Sequence, residues 1–526
     1  MTPRRLGVLL AGAISVAAIV SAAASAGAND AGFKTSTPAM LTGATGVSVE
    51  PLMTVGDALS GGYRFESIPD GISIGKTNGN GTVDIYVNHE TSLVPFPLPT
   101  PTVAGRADFV NSIVSKLRLH QNSAGILKGD HVIPSSANYQ RFCSNFLASK
   151  EHGFERDILF TNEEARDHVN RTGTAWPPVA GAEQPGVVVA LDVKSGAYKS
   201  IYGMGRHNHE NSVAIPEYGF PVLLSGDDTF VSNPPESQLY MYVADDGDAV
   251  WNDEGTLYAF VADGSKTNYN QVTTGDTLTG QFLAVPEPFA SGKRLDGSGA
   301  DITRAADFPT FAEPPTGVPD GPQWVLDQWG NAANNSYGKD VFDFVRIEDI
   351  AYDRNDPNVV YLADSGRGSG TSAPNGRIWR MVLDEDDPTK VTSLRILIEG
   401  GSATGVFGDI HQPDNLETTE RSLFIQEDPS TANQFVTPAR IWRYDLATNT
   451  REIVATINAI GPSTNPGSWE SSGIVDASSV FGAGAFLVDV QAHTWEIERI
   501  PDPPVVNQVN SMREAGQLLL IRVPGE

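Results

Sequence analysis

Along most of the chain, apolar residues come in runs of three to five, rich in β-branched and aromatic side chains, and each run ends on an acidic or polar residue. TVDIYVNHE, DILFTNEE, GVVVALDV, FPVLLSGDD, SQLYMYVAD, TLYAFVAD, NVVYLADSG, GRIWRMVLD, RSLFIQED, ARIWRYDL, GAFLVDV and GQLLLIRV share this form. In LYMYVADDG, LYAFVADG and IWRYDLATN a large side chain recurs at every second position, the period of a strand with one buried face. Gly, Asn, Asp and Pro separate the runs and mark turns. The pattern predicts many short antiparallel strands. Helical periodicity stands out only over Arg106 to Leu119, where a helix is expected.

So many strands cannot stay in one open sheet without curling or splitting, whereas radial repetition leaves only short, protected edges. The expected fold is therefore all-β, a β-propeller in a single domain over 29–526, with a pair of β-sandwiches as the structural competitor. The terminal GQLLLIRV run is expected to pair with an N-terminal strand and close the ring. The stretch from about 285 to 338, rich in Pro, Gly and polar residues, is expected to be a long insertion over one face. Ahead of the domain, MTPRR, the apolar run Leu6 to Val20 and the small residues SAAASAGA predict a secretory signal peptide over 1–28. Arg4-Arg5 leaves Sec and twin-arginine export both open. The mature protein is expected outside the cytoplasm, secreted or at the periplasm or cell envelope, with no stable membrane insertion.

Charge narrows the partners. Against 64 Asp plus Glu stand 36 Lys plus Arg, a net −28 over 526 residues. A surface this negative repels a phosphate backbone, so nucleic acid is not an expected partner. The one cysteine, Cys143, excludes an intrachain disulfide and any CxxC site. No HExxH helix or Walker A loop occurs.

What remains is a set of oxygen donors at strand ends: Asn88-His89-Glu90, Glu163-Glu164, His207-Asn208-His209-Glu210, Asp227-Asp228 and Glu348-Asp349. In a propeller the inner ends of successive blades meet at one mouth of the channel, so acids far apart in sequence converge there. Convergent carboxylates stay ionised only with compensating cations. Hard oxygen donors suit Ca²⁺, Mg²⁺, Mn²⁺ or ferric iron. Cys143 is either an inert buried thiol or, beside the acids, a thiolate held by a metal. Arg346 precedes Glu348 by two residues and shares its side of an extended strand. The pair is either a local ion pair or a clamp binding phosphate oxygens bidentately. His207-x-His209 is a weak zinc or copper pair. Asp245-Asp246-x-Asp248 with Asp253-Glu254 is a calcium candidate without EF-hand spacing, and Asp384 to Asp387 reads as a solvated turn.

Taken in order, VNHE at 87–90, Cys143 followed by Glu163-Glu164, GRHNHE at 205–210, GDD at 226–228 before QLYMYV, and RIED at 346–349 resemble the PhoX-type alkaline phosphatases, as does FGDIHQPDNL at 407–416 before LFIQED. Those are exported bacterial propellers. The resemblance implies six blades and an iron and calcium cluster at the channel mouth. It implies Cys143 and Glu210 as iron ligands, Glu348 as a further metal ligand, and Glu90, Glu163 and Glu164 completing the cluster or binding calcium. Asp227, Asp228 and Asp349 are possible additional ligands, and Arg346 would contact the phosphate. The implied activity is metal-dependent hydrolysis of small phosphate monoesters by a monomer. The sequence departs from the family in the stretch after Cys143, SNFLASKEHGFERDILFTN, and in RIED. Two other readings follow from the fold: a non-catalytic calcium-stabilised propeller that binds a partner or a cell-wall polymer, and a calcium-dependent lactonase or phosphotriesterase that would not need Cys143.

Overall fold

The computed structural model describes residues 31–94, 106–165, 169–170, 174–175, 183–367, 371–401, 409–429, 437–462, 467–500 and 510–526. The expected signal peptide lies outside them, as do the first two residues of the 407–416 motif. Nearly all regular structure is β. The first sheet runs, from inside out, Pro69–Thr77, Thr82–His89, Ile113–His120 and Ile126–Ile133. The second runs Phe142–Ala148, Ile158–Glu163, Val188–Asp192 and Tyr198–Ile201. The third starts at His209–Ala214 and proceeds through Val222–Asp227, Leu239–Val243 and Thr256–Ala262 to Leu278–Ala284. That last strand pairs with Lys390–Glu399, the outer strand of a fourth unit comprising Ile347–Tyr352, Val359–Asp364 and Arg377–Leu383. A fifth sheet takes Pro413–Thr418, Ser422–Glu427, Arg440–Asp445 and Arg451–Ile457, with Leu41–Gly43 at its edge.

The last sheet joins both ends of the domain. Glu470–Asp476, Ala485–Ile500 and Asn510–Arg522 come from the C-terminal part, and Ser48–Thr54 pairs antiparallel with Asn510–Arg522. The terminal GQLLLIRV run thus takes an N-terminal partner. The innermost strands pack in sequence, Pro69–Thr77 against Phe142–Ala148 and so on round to Glu470–Asp476, which returns to Pro69–Thr77. The chain is an all-β propeller.

Each strand shows one face to each neighbouring sheet, so the apolar side chains form separate layers between sheets. Ile85 and Leu117 meet Leu487 and Leu518 where the first and last sheets touch. Tyr86 and Val114, on the other face of the same strands, meet Leu159 and Val189 of the second sheet. Burial on both faces accounts for runs such as VDIYV, in which every residue is apolar or buried.

The helix expected over Arg106 to Leu119 is absent. The segment forms strands Arg106–Asp108 and Ile113–His120 instead. From Val114 onward Leu117 and Leu119 are buried and Lys116, Arg118 and His120 are not, which is period two. The apparent helical spacing came from reading across the break at 109–112. Within 285–338 the chain forms three short helices, Glu287–Ser291, Arg304–Asp307 and Pro322–Gly330. Fully buried Arg206 pairs with Asp301 and ties this segment to the third sheet.

Candidate metal centre at the channel mouth

All six innermost strands break register with their neighbour at one level. The irregularities fall between 69 and 72, 142 and 145, 209 and 212, 347 and 350, 413 and 416, and 472 and 474. A bulge re-aims the side chains around it. Just here lie Asp70, Cys143, Glu210, Glu348 and Asp414. Two residues before four of them the backbone enters the left-handed region without glycine: Ile68 (φ 48°), Arg141 (φ 45°), Arg346 (φ 63°) and Gln412 (φ 43°). For β-branched Ile68 that conformation is costly.

A repeated hydrogen bond fixes this geometry. The N–H groups of Glu90, Glu164, Asp228, Ser365 and Asp428 donate to the carbonyls of Ile68, Arg141, Asn208, Arg346 and Gln412, at 2.9 to 3.1 Å. Each donor follows the last residue of its sheet's second strand, and each acceptor stands two places before the inner-strand ligand candidate. The adjacent acids at these strand ends therefore divide the work. The first turns inward as a buttress and the second faces the mouth.

Fourteen side chains line a cavity of about 170 Å³ at the mouth. Nine are carboxylates: Asp70, Glu90, Glu164, Glu210, Asp228, Glu348, Asp414, Asp428 and Glu470. Cys143, Gln491, His493, Phe230 and Arg346 complete the wall. Ligand atoms lie within 4.8 Å of one another in four groups: Asp70, Glu90 and Cys143; Cys143, Glu164 and Glu210; Glu210, Asp228 and Glu348; and Asp414, Asp428 and Glu470. The Cys143 thiol donates to Glu210 Oε1 (2.8 Å) and Asp70 Oδ2 (3.2 Å). Burial, then the surrounding acids, pushes this thiol well above its ordinary range. Burial likewise raises Glu164, Glu210, Asp414 and Glu470 far above the carboxylate range, reinforced by their acidic neighbours.

Arg346 is buried in this wall. Its Nε and Nη2 donate to the two oxygens of Asp228, each at 2.8 Å, and Nη2 also meets Glu348 Oε1 at 2.7 Å. Ser365 Oγ donates to the same Glu348 oxygen at 2.8 Å. Nη1 is buried and has no hydrogen-bond partner among the described residues. Opposite in role is His493, set between Glu514 (3.0 Å) and Glu470 (3.8 Å). Burial alone would lower this imidazole, but the two glutamates outweigh it and hold the group well above its ordinary value.

Of the residues singled out from sequence, Glu90, Cys143, Glu164, Glu210, Asp228, Glu348 and Arg346 meet in the cavity. Three do not. Glu163 turns away and accepts the backbone N–H groups of Gln140, Gly186 and Val187 at 2.8, 3.1 and 3.3 Å. Asp227 accepts from Thr229 Oγ1 (2.9 Å) and Gln323 Nε2 (3.4 Å). Asp349 is on the other side of its strand from Glu348, accepts from the Leu416 N–H at 2.8 Å, and lines a separate polar cavity of about 450 Å³ in the channel beyond. Asp70, Asp414, Asp428, Glu470 and His493 join the site unforeseen. PDG at 69–71 echoes PDN at 413–415, and QED at 426–428 repeats the acid pair of NEE and GDD, so three of these five carried a readable signal or its echo, and Glu470 did not. His493 had none.

The other candidates have local duties. Asp246 caps the helix Gly247–Asn252 by accepting from the Ala249 N–H, and Asp253 accepts from the Gly203 N–H. His207 and His209 are buried and their rings lie 3.5 Å apart, outside the cavity wall. Asp384 accepts the N–H groups of Asp386 and Asp387 in a turn.

Fold and site together describe a propeller whose channel mouth is walled by acids from every sheet. Among solved structures, the chain is similar to Pseudomonas fluorescens PhoX in complex with vanadate, a transition state analogue. The TM-score is 0.60 with 15% identity, over 93% of this chain and 97% of that one. It also aligns with PpgL, the periplasmic gluconolactonase of Pseudomonas aeruginosa, at TM-score 0.35 and 11% identity, over 88% and 90% of the two chains. The fold is thus PhoX-like. No family model matches the chain, and no curated protein does.

Proposed function

We propose that this chain is a divergent member of the PhoX-type phosphatases, an exported metal-dependent phosphomonoesterase. One observation carries the reading: nine carboxylates and the only thiol gather around a cavity that also contains a guanidinium with one unpartnered nitrogen. Buried carboxylates at this density are either protonated or neutralised by cations, and a set this large serves no packing purpose. The donor chemistry fits metals. Cys143 with Glu164 and Glu210 offers the mixed sulfur and oxygen set that suits iron, and Asp414, Asp428 and Glu470 offer the all-oxygen set that suits calcium.

Bound there, the ions would supply concentrated positive charge for a phosphate ester and for its leaving oxygen. The chain's own groups do the rest. Asp228 and Glu348 grip Arg346 along Nε and Nη2, so its plane is fixed before substrate arrives. Contact with a phosphate oxygen then rests on Nη1, one nitrogen rather than the bidentate fork expected from sequence. As a metal ligand Cys143 would act through Sγ as the thiolate, without the proton it donates to Glu210, so metal binding would be expected to release protons. Ser365 and Asn208 hold Glu348 and Glu164 from outside at 2.8 and 3.3 Å, orienting carboxylates for shared ions.

The test is release of phosphate from a chromogenic phosphomonoester by protein purified with its metals, before and after chelation. Turnover that chelation abolishes and iron with calcium restores is expected. Turnover indifferent to chelators, or calcium retention with no turnover, contradicts the reading; the latter is the behaviour of a scaffold.

A further inference from the structure

Among the described residues that line the mouth, Phe230 alone is exposed, at 39%; the others are buried or half-buried. It is also the one hydrocarbon side chain among them. Strand alternation aims it there. Thr229 turns inward, donating from Oγ1 to Asp227 Oδ1 (2.9 Å) and accepting from Gln323 Nε2 (2.7 Å), so its neighbours Asp228 and Phe230 both face the mouth. The ring is exposed but not loose. The guanidinium carbon of Arg346 lies 4.5 Å from its centroid and that of Arg367 lies 5.3 Å away, contacts that hold the ring in place. Depth along the cavity orders a substrate. Its phosphate must sit inward, with Arg346 and the acids, because Arg346, Asp228 and Glu348 are buried. The other half of the ester then points outward and passes the rim where Phe230 stands.

We infer that Phe230 is a specificity-determining platform for the leaving group, and that phosphomonoesters of aryl and arylalkyl alcohols are preferred over those of small aliphatic or hydroxylated alcohols. This rests on the phosphomonoesterase reading. A flat apolar group laid against a ring that is already held gains contact without ordering a new side chain. A hydroxylated group gains little at the same place, since its hydroxyls lose water against a phenyl ring that cannot replace the hydrogen bonds. The rest of the described wall is polar or charged and offers an apolar leaving group no second contact of this kind.

The experiment compares benzyl phosphate with ethyl phosphate, esters of primary alcohols of similar acidity that differ by a phenyl ring. On the metal-loaded protein benzyl phosphate is expected to have kcat/KM about tenfold higher, as one aromatic contact is worth, and chiefly through KM, because the contact is made before and during the reaction alike. Phe230→Ala should bring the ratio to near one, and Phe230→Leu should keep part of it through the apolar area that remains. A ratio near one in the unaltered protein overturns the platform while leaving the phosphatase. So does a Phe230→Ala protein that loses equally on both esters, the behaviour of a ring that only props Arg346. Turnover of neither ester removes the phosphatase reading and the platform with it.

Discussion

Arg346 shows how far a single side chain can be tested. Three of its contacts hold it and one nitrogen is left over, so Arg346→Lys keeps a charge but loses the grip of Asp228 on Nε and Nη2. We expect kcat to fall by about 10²–10³, as when one preorganised donor to a transition-state oxygen is lost, with metal content unchanged. A kcat within twofold of the original contradicts its role. The neighbouring acids separate in the same way. Glu210→Gln removes a member of two ligand groups and should lower both metal content and activity. Asp349→Asn, at a carboxyl that faces the far channel, should cost stability and leave the metal content of the folded fraction intact. Residue identity was legible where a pair such as Asp227-Asp228 ended an apolar run. Which member of the pair faces the mouth was not, because that depends on the bulge. Glu163 and Asp227 are buttresses for this reason, and Asp349 lies across the strand from Glu348.

Strands set the second scale. The register break in every innermost strand makes adjacent residues diverge, so one inner-strand acid reaches the mouth while the next residue, Gly71, Asn211, Asp349 or Asn415, lines the channel beyond. No hydropathy pattern records a bulge, since it inserts a residue without changing composition. That is why the strands themselves were readable and their ligand sets only half so. The strain is testable at Ile68 (φ 48°). At an ordinary strand position Gly is less stable than Ala by about 0.5–1 kcal/mol. Here Ile68→Gly should be more stable than Ile68→Ala by about 1 kcal/mol, as read by thermal or denaturant unfolding. The ordinary order would show that the left-handed turn is not held. A helix expected over Arg106 to Leu119 failed at this scale too, since two strands separated by a short break imitate the longer period.

For the whole molecule, closure and charge are linked. The ring is completed by strands from both ends of the domain, which the apolar C-terminal run disclosed, while the joining of the third and fourth sheets at their outer edges had no sequence signal. The acid-walled mouth lies at the convergence of all the sheets, so its charge bears on the stability of the entire ring. Without metals, burial pushes Glu90 up to about 8, with Asp70 adding to the effect, and burial raises Glu164 and Glu210 as well. In the unfolded chain these groups ionise near pH 4. Between those values the folded form binds more protons, so the stability they contribute is whole below about pH 4 and is lost as pH rises toward about 8. The metal-free protein should therefore melt at progressively lower temperature from pH 5 to pH 8. Metal-loaded protein should not, because cations replace the protons. A metal-free melting temperature that climbs over this range contradicts the proposed charge state of the mouth. Among the described residues no helix is long and apolar enough to cross a membrane.

The central claim is that acids from every sheet hold several multivalent ions for phosphate chemistry. Elemental analysis of the protein purified from an exporting host, paired with phosphate release by the same sample, tests it most directly. The account predicts more than one equivalent of metal, including iron and calcium, and turnover that disappears as chelation strips them. A preparation with no multivalent metal that hydrolyses phosphomonoesters at full rate would contradict it.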